Sequence, residues 1–143
     1  MGQLGWYLDA SLLVALLTPE PHSEKAIDFV ANNKDLLSVS DLGSAEFASA
    51  IARRVRMGEV TIEDARRDLA GFDAWMQRSP QRVEIAAVDV VVATGYLRRL
   101  DLPLRTPDAI HIAIAQRLGA TLVTFDRQMA ASAEALGAAV AMP

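Results

Sequence analysis

The sequence predicts an α/β chain with three layers, a central and mainly parallel sheet of four to five strands flanked by helices. Three observations carry this. Short apolar runs rich in branched side chains alternate with stretches of helical periodicity, the rhythm of strands joined by helical crossovers. One late helix has start and stop signals around an apolar interior and must therefore be buried. The 143 residues, 52% hydrophobic and 22% charged, suit one domain with one core over residues 1–143.

Residues 5–8 read as the first strand, closed by Asp9, with Trp6 and Tyr7 packed beside it. Residues 11–17 form a short buried helix that stops before Pro19 and Pro21, and 23–32 form a second. Residues 36–40 make the second strand. Asp41 then stands where an N-cap belongs, opening a helix to about Met57, with Gly58 as its stop. Thr61 and Asp64 resemble a capping box, ahead of a helix carrying Leu69, Phe72 and Met76 at spacings of three and four. These residues and Trp75 suit a core or a dimer interface.

Residues 83–88 read as the third strand, Asp89 caps a helix to about Leu100, and 101–105 form a loop. Thr106 at the N-cap, Pro107 at the first helical position and Gly119 past the end bound the buried helix, whose stretch 109–115 is apolar except for His111. Residues 121–125 make the fourth strand, 126–136 the last helix, and 138–142 an edge strand.

Composition excludes several classes. With no Cys there is no disulfide framework, thiolate zinc site or cysteine nucleophile, and a reducing cytoplasm is the expected location. The longest run without a charge is ten residues, short of the ~20 that span a bilayer, so no membrane is expected. The net charge of −4 gives no global positive field for nucleic acid. Arg nevertheless clusters locally at Arg53, Arg54 and Arg56, where cations complement a helix C-terminus or offer a local patch to a polyanion. Neither a Walker sequence nor a dinucleotide fingerprint occurs.

Four acids stand out. Asp9 and Asp126 follow strands, Asp108 sits in the first turn of the buried helix, and Glu46 is the only charge between Asp41 and Arg53. The three Asp each suit helix capping, which favours them by roughly 0.3–1 kcal/mol, whereas Glu46 in the second turn has no such role. Gathered at the edge where open parallel sheets bind ligands, two carboxylates ~4 Å apart repel by about 4 kcal/mol at an effective dielectric near 20. An all-oxygen set of this kind favours Mg²⁺ or Mn²⁺ and phosphodiester hydrolysis by a metal-bound water.

The residues Tyr-Leu-Asp-Ala-Ser (7–11), Ser-Ala-Glu-Phe (44–47), Thr-Pro-Asp-Ala-Ile-His (106–111) and Thr-Phe-Asp-Arg (124–127), with 37, 62 and 18 positions between successive acids, resemble the PIN-domain ribonucleases. Among these the chain is most similar to the VapC-type toxins of bacterial toxin-antitoxin pairs. The resemblance implies a PIN-like fold and a Mg²⁺- or Mn²⁺-dependent endoribonuclease with Asp9, Glu46, Asp108 and Asp126 as its metal-binding and catalytic acids. It also implies homodimerisation and a VapB-like antitoxin that reaches the active-site groove, where Arg53, Arg54 and Arg56 either hold RNA phosphates or the antitoxin's acidic groups, or simply complement the dipole of their helix. Ser11 and Thr124 either orient a carboxylate or metal-bound water, or cap helices and fill the sheet. His111 reads as a hydrogen-bonded core histidine outside catalysis. Gln128 stands where relatives carry a further acid, so a fifth carboxylate is missing. Two other classes fit less of the pattern: a non-catalytic α/β binding module, and a receiver-like phosphoacceptor domain, which needs a late lysine where this chain has none beyond Lys34.

Overall fold

The computed structural model, which describes residues 5–143, is built on five short strands: β1 (Trp6–Leu8), β2 (Leu37–Ser40), β3 (Gln81–Val83), β4 (Thr121–Val123) and β5 (Val140–Ala141). They lie in the order β3-β2-β1-β4-β5, and every neighbouring pair is parallel. Parallel neighbours require crossovers, supplied here by α1 (Ala10–Leu17), α2 (Ser23–Asn32), α3 (Asp41–Arg56), α4 (Ile62–Arg78), α5 (Ala87–Leu97), α6 (Thr106–Leu118) and α7 (Arg127–Ala135).

The period-two alternation of the strands divides the core between the two faces of the sheet. Leu8, Leu37 and Val39 pack with Leu12, Phe47, Ile51, Phe72 and Trp75 on the side of α1 to α4. Tyr7, Val83 and Leu122 pack with Ile112, Ile114 and Met129 on the side of α6 and α7. Phe47 and Phe72 stack with ring centroids 4.5 Å apart, which places the α4 aromatics in the core. The middle of α6 is buried, from Asp108 to Ala115 with Ile110 half-buried, and Gly119 closes the helix at φ +64°, a left-handed conformation that costs glycine no side-chain clash. Among the described residues no helix is long and apolar enough to cross a membrane.

The starts of three helices and the end of one strand differ from the sequence reading, and at each helix start the partner taken by an Asp side chain decides the outcome. Ser40, not Asp41, caps α3, accepting the Gly43 N–H at 3.0 Å, because Asp41 is held in a two-pronged pair with Arg82 at 2.7 and 2.8 Å. The third strand covers Gln81–Val83 instead of 83–88, because Asp89 is the third helical residue of α5 and accepts the Ala86 N–H at 2.7 Å, drawing the helix start back to Ala87. Likewise Asp108 accepts the Arg105 N–H at 3.3 Å, so Arg105 occupies the N-cap expected for Thr106. The fourth strand stops at Val123; the Thr124 N–H still donates to Ala141 O at 3.1 Å, but its side chain and Asp126 belong to the site described next.

Candidate active site at the centre of the sheet

Strands β1 and β4 are neighbours at the middle of the sheet, yet the chain leaves them toward opposite edges, β1 leading to β2 and β4 to β5. Such a reversal opens a crevice beyond the strand C-termini, where ligands of open α/β sheets bind. Asp9 directly follows β1 and is 4% exposed; its backbone N–H reaches Val123 O at 3.2 Å, stitching the two strands at their ends.

Its carboxylate takes three donors. Oδ1 accepts the Ser11 hydroxyl at 2.7 Å and the Leu12 N–H at 3.1 Å, and Oδ2 accepts the Thr124 hydroxyl at 2.6 Å. In turn Ser11 Oγ accepts the Phe125 N–H at 3.0 Å and Thr124 Oγ1 accepts the Asp126 N–H at 3.0 Å. Each hydroxyl owns one hydrogen and both point at Asp9, so the 3.3 Å approach of the two oxygens is a close contact and not a further hydrogen bond. No Lys or Arg among the described residues lies within ion-pair distance of Asp9. Burial therefore pushes its carboxyl above the ordinary range, and the Thr124, Ser11 and Leu12 donors offset this only in part.

The other three acids are held differently. Glu46, in the second turn of α3, has a side chain 30% exposed and binds His111 Nε2 through Oε1. Asp126 caps α7, its Oδ1 accepting the Met129 N–H at 3.0 Å. Asp108 takes the Arg105 backbone N–H and approaches its Nε at 3.5 Å, so one cation of the chain does relieve one acid of the set.

An open groove of about 660 Å³ brings Ser11, Glu46 and Asp126 together with Arg53, Arg54 and Arg105, while Asp9 and Asp108 do not line it. Arg54 Nη1 donates to Thr18 Oγ1 at 2.9 Å, leaving its remaining N–H groups for the groove. The donor chemistry suits a hard divalent cation, since these acids offer only oxygen and Asp9 lacks a cation of its own. The spacing is not yet that of a coordination shell: among the described residues no three of His, Cys, Asp and Glu stand close enough together to hold an ion.

Sequence reasoning missed three participants. Tyr7 and Ser40 join His111 beneath Glu46, and Arg105 reaches the groove. Strand alternation was the available signal for the first two, because it turns Tyr7 and Ser40 away from Leu8 and Val39, toward the face that the buried α6 covers.

Fold and site together define a parallel α/β protein with a buried, cation-free Asp9 at its central crevice and Glu46 and Asp126 on the groove beside it. The PIN domain family model matches residues 6–135, and the chain belongs to that family. It is 36% identical over 140 residues to ribonuclease VapC46 of Mycobacterium tuberculosis (strain ATCC 25618 / H37Rv), with 96% of each chain covered. The crystal structure of Mycobacterium tuberculosis VapC20, described as a sarcin-ricin loop cleaving toxin, is similar in fold with a TM-score of 0.74, at 18% identity over 90% of this chain and 95% of that one. A DNA-bound VapBC from Salmonella typhimurium is similar with a TM-score of 0.73, at 15% identity over 98% of both chains.

Proposed function

We propose that the chain is a Mg²⁺- or Mn²⁺-dependent endoribonuclease acting as the toxin of a toxin-antitoxin pair in the cytoplasm, with Asp9, Glu46, Asp108 and Asp126 as its metal-binding and catalytic carboxylates. The observation that carries this is Asp9: a buried carboxylate at the sheet crevice, given hydroxyl and N–H donors but no cation, beside a groove edged by two further acids. The ribonuclease name of the 36% identical relative supports the reaction class.

When bound, a divalent ion would acidify a water and stabilise charge growing on a phosphodiester. Ser11 and Thr124 hold Asp9 rigid from both sides of the crevice, and His111 holds Glu46. Asp126 borders the groove from the start of α7. Arg53, Arg54 and Arg105 line the same groove and pair with phosphates flanking the cut, where charge-assisted hydrogen bonds are strong. The same groove receives acidic or carboxylate groups of a VapB-like antitoxin. A homodimer is supported by α5, where Val88, Val91 and Val92, spaced for one helix face, are 52%, 69% and 37% exposed.

The test is incubation with single-stranded and stem-loop RNA, with Mg²⁺, Mn²⁺ or chelator, for the wild type and Asp108→Asn. Cleavage that needs metal and falls at least about 100-fold in the variant is expected for a group acting on the reacting centre. Cleavage indifferent to both metal and substitution overturns the reading.

A further inference from the structure

Beneath the groove, a chain of side chains runs from the N-cap of α3, at the end of β2, to the second turn of the same helix. Ser40 Oγ caps α3 by accepting the Gly43 N–H at 3.0 Å. It also lies 2.7 Å from the Tyr7 hydroxyl, which lies 2.6 Å from His111 Nδ1, and His111 Nε2 meets Glu46 Oε1. Tyr7 and Ser40 are fully buried and His111 is 2% exposed. The path thus starts at Ser40, the end of β2 and cap of α3, crosses β1 and α6, and arrives on α3 at Glu46.

Hydrogen accounting assigns a direction to this chain. Ser40 Oγ accepts from Gly43, and its own single hydrogen has one acceptor among its partners, the Tyr7 oxygen. Tyr7 then donates its hydrogen to His111 Nδ1, which must be unprotonated, and the imidazole carries its hydrogen on Nε2, aimed at the Glu46 carboxylate. In the reverse direction Tyr7 donates to Ser40, the Ser40 hydrogen has no acceptor, and an imidazole protonated only on Nδ1 turns a bare nitrogen toward a carboxylate. The forward order satisfies every group; the reverse strands one and opposes two.

We propose that Tyr7 and His111 are positioning residues: the Ser40–Tyr7–His111 relay fixes His111 as the neutral Nε2–H tautomer, and that N–H holds the Glu46 carboxylate at the edge of the groove. The functional half rests on the reading of Glu46 as an active-site acid, whereas the tautomer half does not. Partners that orient a metal-site ligand in this way act through it, without touching substrate.

Two measurements on the full chain separate the halves. In the metal-free protein at neutral pH, long-range ¹⁵N–¹H correlation of the two imidazoles reports where each hydrogen sits. His111 is expected as a single Nε2–H tautomer, and Tyr7→Phe is expected to give a mixture. A proton on Nδ1 in the wild type, alone or with one on Nε2, overturns the relay. On a single-stranded RNA probe with Mn²⁺, Tyr7→Phe should lower kcat about 10-fold and His111→Leu about 100-fold, with KM within about twofold, as for other supports of a site ligand. His111→Gln, which keeps an N–H donor on a similar arm, should recover part of the loss. Wild-type kcat in a folded Tyr7→Phe, despite a mixed tautomer, overturns the positioning role. Wild type that cleaves no RNA with any metal overturns the nuclease reading and the functional half with it, while the tautomer result stands on its own.

Discussion

Asp9 and Asp89 are both buried, 4% and 1% exposed, and both satisfy backbone N–H groups at a helix start. Their remaining surroundings are opposite. Arg117 clamps Asp89 through Nε and Nη2 at 2.8 and 2.9 Å, and the guanidinium also reaches Glu84 O at 3.0 Å, tying the start of α5 to the end of α6. Asp9 receives only two hydroxyls and an N–H. A buried carboxylate whose task is to join two helices is given its counter-cation by the chain, whereas one left with neutral donors carries a charge that something else must balance. If Asp9 acts as proposed, this contrast separates a structural acid from a functional one more sharply than exposure or sequence position does.

The contrast breaks most visibly at its structural pole. Arg117→Met should cost about 3 kcal/mol in urea unfolding, toward the lower end for a broken buried pair because the guanidinium is one-third exposed; adding Asp89→Leu should restore most of it. Recovery absent from the double variant would mean that Arg117 stabilises by packing alone.

At the functional pole, saturating Mn²⁺ should raise wild-type stability by about 2.7 kcal/mol at one hundred times Kd, seen as a rise in Tm that Asp9→Asn abolishes. A smaller effect, of opposite sign, sharpens the comparison further. The Asp9 carboxyl is raised by burial, so the folded chain holds that proton more tightly than the unfolded chain does. The resulting stability is complete below the ordinary carboxylate range near pH 4 and is lost as pH rises through the folded value. In chelator, Asp9→Asn should therefore melt above the wild type at pH 7 to 8, and the gap should close toward pH 4. A wild type that stays the more stable at neutral pH would show that three donors suffice for Asp9 without any cation.

The elements with strong local signals were legible in the sequence. The alternating strands, the Pro107 and Gly119 punctuation of α6 and the Thr61–Asp64 box all encode their geometry within a few residues. The starts of α5 and α6 were displaced for one physical reason, which also operates in the correctly read α4. In α4, α5 and α6 an Asp at the third helical position reaches back to the N–H of the cap residue, from Asp64 to Thr61, Asp89 to Ala86 and Asp108 to Arg105. Only the first of these has a cap side chain that advertises itself; Ala86 and Arg105 cap with backbone alone, and their helices start one to three residues earlier than the sequence reading places them, α5 also ending at Leu97 instead of about Leu100. The four candidate acids could be named from pattern and resemblance, and Asp9, Glu46 and Asp126 lie at or beside the crevice. The Tyr7–His111 contact spans 104 positions and the Arg117–Asp89 clamp spans 28, and no local period carries either.

The pocket around Asp9 is assembled from far-apart stretches of chain: Ser11 comes from the first helix, but Thr124 arrives on the strand that docks against β1. During synthesis on the ribosome, a nascent polypeptide that has not reached residues 121–126 lacks one of the two arms that cradle this acid. The groove's chemistry is consequently the product of a late docking event, and a half-made copy of the molecule emerges without it.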